Sequence, residues 1–178
     1  MGLTESEFTV LRRTIATRGT TRIILLPATF FAWSAVISVL LAAEPLGSVF
    51  TLAVLVAGFE AIHALHVGVE RIGRYIQVYY ETGTDGPQWE TTCMSVGPPL
   101  PGGGVDPLFP VLFASAAMAN LTPVFLSSPT RATLAIIGLL HAAFLVRVGR
   151  ARWAAARQRA VELESYRAIR SGSPPPRS

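Results

Sequence analysis

Long apolar runs separated by short polar segments dominate the pattern of this chain. Four runs stand out, over residues 23–43, 48–69, 108–126 and 132–147. A membrane-spanning helix needs about 20 predominantly apolar residues. The first three runs reach that length, and the fourth approaches it with the apolar stem of a flanking arginine. The pattern therefore predicts an all-α, polytopic membrane protein with four transmembrane helices. Three helices, with the third or fourth run re-entrant, is the alternative.

Helical periodicity continues beyond the apolar runs. Residues 4–17 place apolar side chains on one face and arginines on the other, which predicts an amphipathic helix on the membrane surface. The second run continues without proline to Glu81, and the fourth continues without proline to Arg170. Both predicted helices are longer than the roughly 30 Å of bilayer hydrocarbon. We therefore expect helices two and four to extend into the cytoplasm, within a single four-helix domain over residues 1–170.

Arginine positions predict the orientation. All 15 basic residues are arginine, and all but Arg131 lie before the first run, after the second, or at or beyond the end of the fourth. Cytoplasmic loops carry an excess of basic residues. We therefore expect cytoplasmic termini, a cytoplasmic loop over residues 82–107 and two antiparallel helical hairpins with short outer connections. The arginine-rich, lysine-free composition is typical of GC-rich bacterial genes, so we expect a bacterial cytoplasmic (inner) membrane protein.

The composition limits the class of protein and the kinds of partner that we expect. Charged residues make up only 15% of the chain, which is too low a share for a soluble domain. Hydrophobic residues make up 51%, which is too high a share for a disordered chain. The net charge of +4 comes from arginines that flank apolar runs, so we expect anionic lipid headgroups as partners and no nucleic acid. The single cysteine, Cys93, excludes an intramolecular disulfide. Residues 171–178 form a proline-rich tail.

One polar stripe runs along the second predicted helix. Its members are spaced three or four residues apart: Glu60, His63, His66, Glu70, Arg74, Gln77 and Glu81. A charge inside a bilayer is costly unless it is paired, so the stripe should face protein. By depth, Glu60, Asn120 and His141 should share one polar layer, with His63 and His66 nearer the inner interface. We expect these five residues to form one intramembrane polar cluster. The cytoplasmic half of the stripe should pair with arginines of helix four.

The same residues raise two questions of chemistry. Glu60 and His63 have the spacing of a di-iron ligand pair, but the other runs contain no carboxylate, so we expect no metal site. A complete proton path is disfavoured because only one side of the bundle offers titratable steps. A tetrapyrrole held by His63, His66 or His141 remains an alternative, since one axial ligand is sufficient. We otherwise expect no cofactor, and no nucleophile–base pair is apparent.

The end of helix four carries a face of small and apolar residues. Its members are Trp153, Ala156, Ala160 and Leu163. A long helix gains most of its stability by packing one face, so we interpret this face as docking on helix two, the N-terminal helix or a partner.

With no catalytic set, the sequence predicts a small non-enzymatic membrane subunit or scaffold of a larger bacterial complex, associated with other subunits or with itself. A cofactor-bearing electron-transfer subunit is the alternative. A channel or transporter is disfavoured because neither inverted repeats nor broken helices are apparent.

Overall fold

The computed structural model describes residues 5–40, 47–83, 86, 88–95 and 108–174. All regular structure in these residues is helical: α1 (Glu5–Leu40), α2 (Gly47–Ile76), a π-helical turn (Gln77–Glu81), α3 (Trp89–Ser95), α4 (Leu108–Ala119), α5 (Thr122–Leu126) and α6 (Arg131–Arg170). Four helical stretches of the described chain are long and apolar enough to span a membrane: Glu5–Val39, Gly47–Glu81, Phe109–Leu126 and Arg131–Ala154. The all-α class is therefore confirmed, as is the presence of four helical stretches long and apolar enough to span a membrane.

The first span is longer than the sequence indicates. Instead of a surface helix over 4–17 followed by a span from residue 23, α1 is one continuous helix from Glu5 to Leu40. Gly19, Thr20 and Thr21 are weak helix formers, which suggests a break, but such propensities amount to only about 1 kcal/mol or less per residue. The Thr21 hydroxyl donates to the Thr17 carbonyl at 2.9 Å, within the helix. The prediction of a separate surface helix is therefore wrong.

The second and fourth spans have the predicted lengths. The π-helical turn that follows α2 ends at Glu81, and α6 ends at Arg170. A left-handed glycine ends α6: Gly172 has φ +75°, its N–H donates to the Ile169 carbonyl at 3.1 Å, and Ser173 donates to Ala168 at 2.8 Å. These two bonds form the Schellman motif that satisfies the last carbonyls of a helix. The first residues of the proline-rich tail are thus a helix cap, and residues 175–178 lie outside the described part.

The third span is broken. α4 ends at Ala119 and α5 begins at Thr122, with Asn120 in the turn between them. Pro123 explains the break, because its ring would clash with the Ala119 carbonyl four residues earlier and it offers no N–H. The interpretation that no spanning helix is broken is therefore wrong at this position.

The chain divides into two compact units. The first, called the polar unit here, comprises Met1–Thr21, Ala64–Val105 and Trp153–Ser178. The second, called the apolar unit, comprises Arg22–His63 and Asp106–Arg152. α1, α2 and α6 each contribute one segment to both units. The single domain expected over residues 1–170 stays a prediction.

Phe59 lies at the centre of the apolar unit. It is 1% exposed, and its ring centroid lies 5.4 Å from that of Phe113 and 5.8 Å from that of Phe144. The surrounding core residues come from α2, α4 and α6: Leu52, Leu55, Ile62, Ala116, Ala117, Val148 and Ala151. Helix α1 approaches closely at Gly58, where a Cβ would overlap the Thr29 side chain. All four spanning segments therefore share one core.

Aromatic rings hold the polar unit together. The Tyr75 ring centroid lies 4.5 Å from that of Tyr79 and 5.7 Å from that of Tyr166 on α6. The Tyr75 hydroxyl donates to Glu7 on α1 at 3.1 Å, and Phe8 packs on Tyr80 with 5.2 Å between centroids. Segments of α1, α2 and α6 therefore meet around the tyrosines.

Candidate functional site

The Asn120 side chain makes four polar contacts in the apolar unit. Its Nδ2 donates to the Ser48 carbonyl at 2.8 Å and lies 3.0 Å from His141 Nε2. Its Oδ1 accepts from Trp33 Nε1 at 3.2 Å and from the Thr51 hydroxyl. The indole N–H can only donate and the carbonyl can only accept, so these two neighbours fix the orientation of the amide.

The same contacts fix the protonation state of His141. Because Asn120 Nδ2 donates, the His141 Nε2 atom must accept and carries no proton. The proton therefore lies on Nδ1, which is 2.8 Å from the Ile137 carbonyl. His141 is thus neutral and uses both ring nitrogens, so it cannot ligate a tetrapyrrole in this arrangement. We call Trp33, Ser48, Thr51, Asn120 and His141 the amide cluster.

Glu60 belongs to a different site. Arg147 Nη2 lies 2.8 Å from Glu60 Oε2, and 43% of the Glu60 side chain and 41% of the Arg147 side chain are exposed. The Arg147 guanidinium carbon also lies 5.5 Å from the Phe59 ring centroid, a cation–π distance. The single cluster of Glu60 with Asn120 and His141 is therefore wrong. A long arginine stem lets a residue at the boundary of an apolar run pair with a carboxylate deeper in it.

The two histidines of the stripe lie beside this ion pair in the sequence. His63 stacks on Phe59 with 5.7 Å between ring centroids, and both His63 and His66 are half-buried. Within the described residues, no group of three or more His, Cys, Asp or Glu side chains is arranged to hold a metal ion. Of the three histidines, only His63 and His66 therefore remain candidates for an axial ligand.

Glu162 on α6 organises the stripe within the polar unit. It accepts from Arg71 at 3.1 Å and from Arg74, which is only 4% exposed. Arg74 also contacts Glu70 at 3.2 Å. The expected pairing is therefore reversed: helix two supplies the arginines and helix four the carboxylate. Burial alone would raise the pKa of Glu162, but hydrogen bonds from Gln158 and Arg74 outweigh it and lower the pKa below its ordinary value.

Two helix termini are capped near the end of the stripe, one by Glu81 and one by Arg170 of α6. The buried Glu81 carboxylate accepts from the backbone N–H groups of Glu90 and Thr91 at 2.7 Å, at the N-terminus of α3. Arg170 donates to the Val78 carbonyl and, at 3.1 Å, to that of Thr82, where the π-helical turn of Gln77–Glu81 ends. Neither contact is apparent from the sequence, because each joins residues that no periodic pattern relates.

The predicted docking face is largely uncovered in this chain. Trp153 is 76% exposed, Ala160 is exposed and Leu163 is half-buried, while the Ala156 side chain lies outside the described part. α6 instead contacts α2 and the π-helical turn that follows it through residues four apart on another face: Glu162, Tyr166 and Arg170. The described contacts between α6 and α2 therefore use a different face, and docking of the small-residue face stays a prediction.

Comparisons of the chain with protein-family models, with curated proteins and with solved structures find no match in any of the three. Function is therefore inferred from the residues themselves.

Proposed function

We propose that this chain is a small non-enzymatic integral-membrane subunit or scaffold of a larger bacterial membrane complex. The observation that carries this proposal is the exposed Glu60–Arg147 ion pair on two candidate spans. Charged side chains inside a bilayer almost always face protein or a water-filled cavity, because exposure to lipid is costly. A neighbouring subunit that covers the pair removes that cost.

A second uncovered surface supports the same conclusion. On the part of α6 that belongs to the polar unit, Trp153 is 76% exposed and Ala160, on the same face, is exposed. Exposed apolar side chains on a helix are typical of surfaces that another protein or a membrane covers. We propose that Trp153, Ala156, Ala160 and Leu163 dock on a partner subunit, since α6 uses another face within this chain.

The arginine distribution supports a bacterial cytoplasmic-membrane location with both termini inside. In that orientation the spans form two antiparallel hairpins, and α2 and α6 project into the cytoplasm. Cys93 offers a test, because it is exposed and belongs to the segment between the second and third spans. A membrane-impermeant thiol reagent should label Cys93 in opened vesicles but not in intact cells. Efficient labelling from outside intact cells would contradict this orientation.

Native mass spectrometry tests whether the chain belongs to a larger assembly. The chain is extracted from its native membrane in polymer-bounded lipid discs and weighed by native mass spectrometry, as wild type, Glu60→Gln and Arg147→Gln. Wild type should occur in particles heavier than the 19.1 kDa chain with lipid, and both variants should shift toward the lone chain. Arg150→Gln is the control, since Arg150 is exposed on the same helix. Wild-type particles that contain only one chain would contradict the proposal.

One alternative is a tetrapyrrole-bearing electron-transfer subunit. Half-buried His63 or His66 would then be the axial ligand. The alternative requires a porphyrin absorption band in the protein purified from its native membrane, and His63→Ala or His66→Ala should abolish it. A colourless protein would exclude this function.

A further inference from the structure

The guanidinium of Arg18 lies in a notch where α1 meets α2. The notch exists because residue 68 is glycine: a Cβ there would overlap Arg18 Nη1. Both residues belong to the polar unit, and the Arg18 side chain is half-buried. Gly68 therefore makes room for a cation against the backbone of the neighbouring helix.

Within the described part of the chain, the Arg18 guanidinium has no hydrogen-bond or ion-pair partner. Other arginines of the same unit are paired: Arg12 contacts Glu90 at 3.1 Å, and Arg71 contacts Glu162 at 3.1 Å. A guanidinium carries five N–H donors in a planar fork, and partial burial without an acceptor is costly. The notch therefore leaves room for an acceptor that the described part of the chain does not supply.

The position of the notch indicates what that acceptor is. Gly68 lies at the end of the second apolar run, residues 48–69, and Arg18 precedes the first run, residues 23–43, on the same continuous helix α1. At about 1.5 Å per residue, Arg18 lies roughly 8 Å outside the start of that run. This is the level of lipid headgroups, and basic pockets between spanning helices bind anionic headgroups.

We propose that Arg18 and the notch at Gly68 form a binding site for the phosphate of an anionic phospholipid. The planar fork of the guanidinium matches two phosphate oxygens, which a point charge such as an ammonium cannot do. Gly68 lets the headgroup and the guanidinium approach the α2 backbone. This site goes beyond the assembly role, because it needs no partner subunit.

The test uses the purified full chain in detergent, delipidated and titrated with phosphatidylglycerol or with zwitterionic phosphatidylcholine. Native mass spectrometry then counts bound lipids. Wild type should bind one phosphatidylglycerol several-fold more tightly than phosphatidylcholine. Arg18→Gln should abolish this preference, and Arg18→Lys should retain only part of it. Gly68→Ala should also reduce it, because the added methyl group displaces the guanidinium.

A matched control lies next to Arg18 on the same helix. A Cβ at Gly19 would meet nothing within 4 Å, so Gly19→Ala makes the same chemical change without filling the notch and should leave the preference intact. If Arg18→Gln bound phosphatidylglycerol as tightly as the wild type does, the proposed site would be wrong. If free inorganic phosphate competed for the site as effectively as phosphatidylglycerol does, the proposal that a lipid occupies the site would be wrong. Circular dichroism confirms the helical fold of each variant, and if Gly68→Ala loses it, the comparison of Arg18→Gln with wild type decides.

Discussion

The Nδ2 atom of Asn120 lies 3.0 Å from Nε2 of His141, which ties the break in the third span to α6. The contact requires a neutral imidazole, and none of the hydrogen bonds that Asn120 makes in the cluster involves a charged group. The helix interruption is therefore held by hydrogen bonds from all four spanning segments, since Trp33 comes from α1 and Thr51 from α2.

Asn120→Leu should destabilise the protein by about 1–3 kcal/mol, because Trp33, Ser48 and His141 each lose a buried partner. Unfolding in mixed micelles, followed by circular dichroism, measures the effect. Ser34→Ala is the control: the Ser34 hydroxyl donates only to the Phe31 carbonyl of its own helix, at 2.9 Å. A loss no larger than that of the control would show that the cluster does not hold the break.

Glu162→Gln should change the pH dependence of stability. The folded-state pKa of Glu162 lies below its ordinary value of 4.5. Its contribution is therefore fully present above about that pH and is lost as pH falls through the lower folded pKa. The stability difference between wild type and Glu162→Gln should accordingly shrink on acidification.

The contribution of Glu90 to stability should depend on pH in the opposite direction. Burial raises the pKa of Glu90, against the lowering effect of Arg12. The folded state therefore prefers protonated Glu90, and Glu90→Gln should stabilise the protein at neutral pH, with a gain that vanishes on acidification. Unfolding of each variant at a series of pH values measures both slopes. Parallel pH profiles for wild type and Glu162→Gln would contradict the ion-pair account.

Arg170→Gln should loosen the end of helix two. Arg170 donates to the Val78 and Thr82 carbonyls, which the helix terminus leaves without intrahelical partners. Its removal should cost about 1 kcal/mol locally and speed amide hydrogen exchange of peptides that cover residues 76–83. Arg167→Gln is the control, since Arg167 lies one turn earlier and is exposed. Equal exchange in both variants would exclude a capping role for Arg170.

The two faces of α6 should respond differently to substitution. Tyr166→Ala removes ring contacts with Tyr75 and Tyr79 and should lower the stability of the purified chain by a few kcal/mol. Trp153→Ala and Ala160→Glu lie on the exposed face and should leave that stability within about 0.5 kcal/mol while weakening the native assembly. An intact assembly in both exposed-face variants would refute docking through this face.

The sequence predicts the spans and the lengths of helices two and four because apolar runs and the absence of proline are local properties. It cannot predict which side chains meet across helices. The depth estimate places Glu60 beside Asn120, but Arg147 reaches Glu60 through its flexible stem. The small residues of α6 indicate a docking face, but Glu162 and its arginine partners determine the packing instead. The break at Asn120 is indicated by Pro123, a signal that the apolar count alone hides.

In the native membrane, another protein should cover the Glu60–Arg147 pair. A spin label attached to Ala143→Cys in a Cys93→Ser variant reports whether the pair is covered. Ala143 is an exposed position one turn before Arg147. Its accessibility to molecular oxygen is compared between the native assembly and the lone chain in lipid. A label at Leu139, which is 71% exposed, is the reference for a lipid-facing position. The label at 143 should lose oxygen accessibility and mobility only in the native assembly. Equal values at 143 in both preparations, matching those at 139, would contradict the account.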